Sequence, residues 1–268
     1  MDRNGRIAFI GGGNMAEALV RGILPGNQPA SVIIAEPLPA RREALAQRYA
    51  VTVTADNREA AAGADLLLLA VKPQMAAEVL AGIADVFTCD KLLISILAGT
   101  PTRALEEPLG KAPRVVRAMP NTPALVGAGA TALCGGRYAG QEDLAAALRL
   151  FETVGTVQMV GEGQMDAVTG LSGSGPAYVF TLIEALADGG VKEGLPRATA
   201  LALATQTVLG AARMVREGEH PAVLRDRVCS PGGTTIAGVK ALEDRGFRAA
   251  LMEAVTKAAE RSRELGRT

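Results

Sequence analysis

Short apolar runs alternate with helical stretches from the start of the chain to about Val160. Residues 6–10 read as a strand and 14–24 as a helix, and 32–35 with 39–49 repeat the pair. A short strand near Val51 and a helix from Arg58 lead to the run 65–71, which is almost wholly apolar. Such a run suits a parallel strand covered on both faces. Residues 92–97 and 114–119 are further strands, with a helix over 74–84 before them. Strands at 130–134 and 156–160 flank a last helix at 142–154. Alternation at these lengths predicts an α/β fold with a doubly wound, mainly parallel sheet.

After Gly161 the pattern changes, and no convincing strand follows. Residues 164–189, 196–217, 235–244 and 248–265 all read as helices. The expected division is therefore an α/β domain over 1–161 and an all-α domain over 162–268. Residues 200–212 are apolar or small almost all round, so that helix must be buried on every side. A small helical domain cannot cover it alone, which predicts a homodimer through these helices. Burial against the chain's own sheet is the competing reading.

Composition narrows the function by exclusion. Lys and Arg number 28 against 28 Asp and Glu, so the formal net charge is zero, and no basic run offers a field to nucleic acid. One histidine and three scattered cysteines (Cys89, Cys134, Cys229) cannot build a zinc site or a disulfide framework. A Ser-His-Asp hydrolase would have to use His220, which lies in a polar Glu-His-Pro turn. Uninterrupted apolar runs such as 66–71 are too short for a bilayer, and the polar N-terminus has no secretory core. Unpaired cysteines then point to the cytoplasm. Alanine is unusually abundant, which favours closely approaching helices.

The strongest local motif is Gly11-Gly12-Gly13-Asn14-Met15-Ala16. It lies between a strand and a helix, and Gly11, Gly13 and Ala16 match the dinucleotide fingerprint. The first glycine makes the turn, the second lets backbone approach a pyrophosphate, and the small third residue allows helix and strand to pack. Amides at the helix start hold the phosphate. Glu36 ends the second strand, where an acid accepts hydrogen bonds from the adenosine ribose of NADH. Arg41 and Arg42 follow, and either reads as a partner for the 2′-phosphate of NADPH or as an exposed helix face. Asn57 is a helix cap or a coenzyme contact. Ala70-Val71-Lys72-Pro73 and Met119-Pro120-Asn121 each end a core strand, where open α/β sheets bind ligands. Lys72 reads as a phosphate, ribose or substrate contact, or as a solvated lysine. Asn121 and Thr122 suit a carboxamide.

Two motifs mark the helical half. Ser172-Gly173-Ser174-Gly175-Pro176 interrupts a long helix with residues that helix interiors disfavour, which signals close approach of a ligand or a second subunit. Ser230-Pro231-Gly232-Gly233-Thr234-Thr235 precedes another helix. Its free amides and hydroxyls form an anion pocket suited to a small carboxylate, unless the threonines simply cap the helix. Neither motif is followed closely by a lysine or histidine placed as a general acid. A ketone reductase must protonate an alkoxide and needs one. A protonated imine needs none, so the pattern points to C=N chemistry.

In sum these residues resemble the pyrroline-5-carboxylate reductase family. The resemblance spans nearly the whole chain, through residues 11–16, 70–73, 119–123, 172–178, 230–235 and 263–265. It implies a Rossmann domain followed by a helical dimerisation domain, often assembled into rings of dimers. The implied reaction is reduction of Δ1-pyrroline-5-carboxylate to L-proline by NADPH or NADH, the last step of proline biosynthesis, with no metal. By the same resemblance the substrate carboxylate binds at Ser230, Gly233 and Thr234, with Gly232 and Ser174 in the same pocket, and Thr235 bonds the ring nitrogen. The nicotinamide lies near Met119, Pro120 and Asn121, and the adenosine ribose near Asn57. Lys72 falls near the coenzyme. Many members carry small or basic residues after the second strand, whereas this chain has Glu36-Pro37. Competing functions are a broader cyclic-imine reductase, a 3-hydroxyacid dehydrogenase and a nucleotide-binding regulator.

Overall fold

The computed structural model describes residues 5–26 and 31–266. Its first part runs β1 (Ile7–Ile10), α1 (Asn14–Ile23), β2 (Val32–Ala35), α2 (Pro39–Tyr49), β3 (Thr52–Thr54), α3 (Asn57–Ala62), β4 (Leu66–Leu69) and α4 (Ala76–Ile83). It continues with β5 (Leu92–Ser95), α5 (Thr102–Glu106), β6 (Arg114–Met119), β7 (Gly129–Gly135), α6 (Gln141–Glu152) and β8 (Gly155–Met159). The eight strands form one sheet in the order β3-β2-β1-β4-β5-β6-β7-β8. Every neighbouring pair is parallel except β6 and β7. The link between those two is residues 120–128, held in a 3-10 turn over Thr122–Val126. A parallel return needs a crossover of a dozen or more residues, so this short link turns the chain back antiparallel.

Side chains of successive strand residues leave on opposite faces, and both faces are covered. Phe9, Ile34, Leu68, Ile94 and Val116 pack with Leu19 and Val20 of α1 and Phe151 of α6. Ala8, Ile10, Leu67, Leu69 and Leu93 pack with Ala60 and Ala61 of α3 and Val79, Leu80 and Ile83 of α4. The apolar run in β4 is thus what two-sided burial requires.

The second part holds α7 (Met165–Val168), a π-helical turn (Thr169–Gly173), α8 (Gly175–Lys192), α9 (Arg197–Arg216), α10 (Pro221–Val228), α11 (Thr234–Asp244) and α12 (Phe247–Leu265). Two helices, α5 and α10, are absent from the sequence reading. Pro221 is the first residue of α10 and not the close of a turn. A first-turn proline sacrifices no intrahelical bond, and the His220 ring accepts the Ala222 amide at 3.2 Å as the cap.

The chain divides into two compact units, residues 1–174 with 257–268, and Gly175–Thr256. Sequence texture places the boundary at 161, where the strands end; packing places it after the π-turn. The reason is local. Met165 is fully buried with Ala132 and Cys134 of β7, and the Ser262 hydroxyl near the end of α12 donates to Asp166 at 2.6 Å. Both tie helical residues to the sheet unit.

Within the second unit, α8 and α9 meet through Ala187, Ala200 and Ala204. A methyl group on Gly190 would come within 3.1 Å of Ala200, so small residues set the approach. Of α9 only Ala200 and Ala204 are buried, and Leu201, Leu203, Leu209 and Met214 are exposed. The helix expected to be buried all round is therefore open along most of its surface in the single chain. By length and composition α9 is also apolar enough to cross a membrane. The reading from uninterrupted apolar runs misses this, because polar Thr205, Gln206 and Thr207 break the run without adding charge.

Candidate functional site

Strand β1 pairs with β2 on one side and β4 on the other, so the chain's direction of winding reverses between β1 and β4. Ligands bind such sheets in the crevice outside the carboxyl ends of the strands at that reversal. The structure brings Gly11–Gly13 to the crevice after β1, Ala70–Pro73 after β4 and Glu36 after β2. Asn57 follows β3, and Met119 ends β6 with Pro120 and Asn121 after it, on the same edge of the sheet.

Each glycine of the loop has a different reason to be there. Gly11 has φ +102°, and a methyl group on it would lie 2.7 Å from the Ala70 carbonyl oxygen. Its amide donates to Ala35 O at 2.8 Å and Ala70 N donates to Ile10 O at 2.8 Å, so neither strand can move aside. Gly12 is buried, and a methyl there would come within 2.8 Å of Leu45. Gly13 is exposed and has nothing within 4 Å of its missing methyl. It caps α1 without any side-chain hydrogen bond, so the amides of the first turn are left for an incoming acceptor. A cradle shaped by glycine and opening on a bare helix start fits a dinucleotide pyrophosphate. Asn14 is exposed at that start, Met15 half-buried and Ala16 fully buried.

Glu36 is buried, and each of its carboxylate oxygens is bonded to a backbone amide. Its carboxylate accepts the Gly12 amide at 3.0 Å and the Leu38 amide at 3.0 Å. Arg41 donates through Nε to Gly12 O at 2.8 Å and through Nη2 to Glu17 at 2.6 Å. Arg42 donates to the carbonyls of Glu36 at 2.6 Å and Pro37 at 2.8 Å. Neither arginine is therefore the simple exposed face that the sequence allows. Glu17 also accepts from Arg48 at 2.5 Å and Tyr49 at 2.9 Å. Burial pushes the Glu17 carboxyl up, but the bonds from Arg41, Tyr49 and Arg48 outweigh it and hold the group below its usual range. Sequence reasoning misses Glu17, Arg48 and Tyr49, because nothing in their spacing announces that α1 and α2 meet here.

Asn57 is the first residue of α3 and not its cap, which is Asp56, accepting the Arg58 amide at 2.8 Å. The capping alternative for Asn57 is thereby removed. Lys72 is exposed at the start of the 3-10 turn Pro73–Met75. Asn121 is buried, its amide donating to Ser172 O at 3.0 Å and its carbonyl accepting the Ala130 amide at 2.8 Å. It thus joins the loop after β6 to β7 and to the π-turn. A methyl on Gly173 would lie 2.5 Å from the end of the Met119 side chain, so the first glycine of the Ser-Gly-Ser-Gly-Pro motif packs directly against the last residue of β6. Ser174 closes the π-turn, its amide donating to Thr169 O at 2.8 Å. Turns of this kind are frequent at functional sites.

The other candidate residues lie in the second unit. Gly232 has φ +69° and the Gly233 amide donates to Ser230 O at 3.0 Å, the Pro-Gly pattern of a type II turn. A methyl on Gly233 would meet the Ser230 hydroxyl and come within 3.1 Å of the Ser230 carbonyl oxygen, so the turn is tight there. Gly233 is the cap of α11, and no side chain caps that helix. The alternative role of Thr234 and Thr235 as caps therefore fails. Thr234 is exposed and Thr235 half-buried, with the first amides of α11 open to an acceptor.

Residues 162–265 match the family profile described as pyrroline-5-carboxylate reductase dimerisation, and 6–99 match that described as NADP oxidoreductase coenzyme F420-dependent. The chain is 51% identical to the pyrroline-5-carboxylate reductase of Synechocystis over 98% of each chain. It is 43% identical to that of Escherichia coli over 98% of this chain and 99% of the other. A solved pyrroline-5-carboxylate reductase from Coxiella burnetii superposes with a TM-score of 0.92 at 40% identity, covering 99% of this chain and 100% of that one. The Plasmodium falciparum enzyme, solved with NADP bound, gives a TM-score of 0.89 at 35% identity, with 98% of each chain covered.

Proposed function

This chain belongs to the pyrroline-5-carboxylate reductase family, and on that premise we propose that it reduces Δ1-pyrroline-5-carboxylate to L-proline with a reduced nicotinamide dinucleotide. The coenzyme supplies a hydride to the carbon of the C=N bond. The chain's own residues bind, orient and exclude water. Gly11–Gly13 and the start of α1 hold the pyrophosphate, with Asn14 and Met15 beside it, and Glu36 and Asn57 serve the adenosine ribose. Ala70, Val71, Lys72 and Pro73 wall the crevice. Met119 and Pro120 form the floor for the nicotinamide, and Asn121 holds that floor in place.

Substrate recognition falls to the second unit. The amides after Gly232 and Gly233 and the hydroxyls of Ser230 and Thr234 receive the carboxylate, and Ser174 is assigned as a further substrate contact. Thr235 accepts the N–H of the protonated ring nitrogen. A positively charged imine is already electrophilic, so catalysis rests on holding two reactants in line and not on a general acid. The observation that carries this reading is the presence in one chain of a glycine cradle at the sheet's reversal and an uncapped Pro-Gly-Gly-Thr-Thr helix start.

The matching dimerisation profile supports self-association. The second copy covers the apolar residues of α8 and α9 exposed in the single chain, and rings of such dimers are the larger assembly. Three free cysteines suit work in the reducing cytoplasm. The test is direct: mix the purified chain with Δ1-pyrroline-5-carboxylate and each reduced nicotinamide, and follow loss of nicotinamide absorbance with proline formation. Turnover with at least one coenzyme is expected. Absence of turnover with both would reject the reading, and reduction of 3-oxo acids instead would replace it with a dehydrogenase.

A further inference from the structure

We infer that the Glu36 carboxylate makes this chain prefer NADH, the dinucleotide without a 2′-phosphate, over NADPH. The inference rests on the reading of the β1–β4 crevice as a dinucleotide site and concerns one end of it. Glu36 directly follows β2, where the adenosine ribose of a dinucleotide is received. Its carboxylate is 8% exposed as a residue and pinned by the Gly12 and Leu38 amides, both at 3.0 Å. It therefore cannot swing away from a ligand without breaking two bonds and loosening the glycine loop itself.

A carboxylate offers about four lone-pair positions. Two are taken by backbone amides, which leaves acceptors for the two hydroxyls of an unmodified ribose. A 2′-phosphate presents only negative oxygens to the same fixed anion. It is accommodated when a free arginine stands nearby, and here both nearby arginines are engaged. Arg41 bridges Gly12 O and Glu17, at 2.8 and 2.6 Å. Arg42 closes the carbonyls of Glu36 and Pro37, at 2.6 and 2.8 Å. Turning Arg41 toward a phosphate would take it from the half-buried Glu17 carboxylate. Turning Arg42 would open the loop that carries Glu36.

Equilibrium binding tests this apart from catalysis. Titrate the full chain with NADH and NADPH and follow nicotinamide fluorescence, and with NAD⁺ and NADP⁺ by calorimetry. NADH should bind at least about tenfold more tightly than NADPH, equivalent to about 1.4 kcal/mol. Glu36→Gln keeps the side chain's size and removes its charge, and should reduce that ratio about tenfold or more, mainly by tightening NADPH. A melting curve of Glu36→Gln close to that of the parent chain, together with an unchanged far-ultraviolet circular dichroism spectrum, shows that the fold is intact. Should Glu36→Gln unfold, Arg42→Ala gives an independent reading: Arg42 is engaged with the carbonyls of Glu36 and Pro37, so its loss should shift NADH and NADPH affinity in parallel and leave their ratio unchanged. Equal or tighter binding of NADPH by the parent chain would overturn the inference. So would an unaltered ratio in Glu36→Gln, or a selective loss of NADPH binding in Arg42→Ala. If neither dinucleotide binds, the crevice is not a dinucleotide site and the functional reading fails with it.

Discussion

Gly11 and Gly13 occupy equivalent-looking places in the motif, yet their surroundings predict opposite phenotypes for the same added methyl group. Gly11→Ala places a side chain on a backbone with φ +102°, and its methyl 2.7 Å from the Ala70 carbonyl oxygen. A positive-φ alanine costs about 1–2 kcal/mol, and forced overpacking costs about 1–3 kcal/mol more. The obstacle is backbone, fixed by the 2.8 Å bonds at Gly11 and Ala70, so it does not relax like a flexible side chain. A loss of about 2–5 kcal/mol corresponds to a fall in melting temperature of roughly 5–20 °C for a domain of this size. Gly13→Ala meets nothing within 4 Å and keeps an ordinary φ of −68°. Its stability should change by less than about 1 kcal/mol, the scale of replacing a glycine cap by alanine. The new methyl instead stands where the pyrophosphate approaches, so coenzyme affinity should fall about tenfold or more, or about 1.4 kcal/mol. Thermal melts paired with coenzyme titrations on both variants separate the two effects. A stable Gly11→Ala, or a Gly13→Ala that binds coenzyme like the parent chain, would refute the reasoning.

Other substitutions probe the remaining contacts. Asn121→Leu removes the partners of the Ala130 amide and the Ser172 carbonyl, and should lower stability by about 2–4 kcal/mol in denaturant titrations; an unchanged midpoint would show that these bonds are dispensable. Thr235→Ala should lower kcat roughly 10- to 100-fold, the value of a hydrogen bond to a charged group, while coenzyme affinity stays put; unchanged kinetics would remove Thr235 from the site. The Glu17 carboxyl is held below its usual 4.5 in the folded chain, so its contribution is complete above that pH and disappears as pH falls through the depressed folded value. Glu17→Gln should therefore destabilise the protein at neutral pH and progressively less in acid. A stability gap that stays constant across that range would contradict the assigned network.

The amino-acid order alone determines the parts of this protein that depend on neighbours along the chain. Alternation of apolar runs with amphipathic stretches places β1 through β8 within a residue or two, because strand and helix periods are local properties. Gly11–Gly13 announces a turn between strand and helix, and Pro231-Gly232-Gly233 announces another, because only particular residues adopt such backbone. The same reasoning fails where chain direction or partnership is set at a distance. The antiparallel run of β7 against β6 emerges only when the two strands are paired, although the short link 120–128 is what turns the chain back. His220-Pro221 carries the marks of a turn and of a helix start equally, and the structure makes it the start of α10. Glu36 reads as a ribose ligand from its place after β2. Only the folded chain shows it gripping Gly12 and Leu38, with Arg41 and Arg42 engaged alongside. A side chain's type and spacing state what it can bond. Which of those bonds it makes is decided by groups that tertiary packing brings within about 3 Å, the reach of a hydrogen bond.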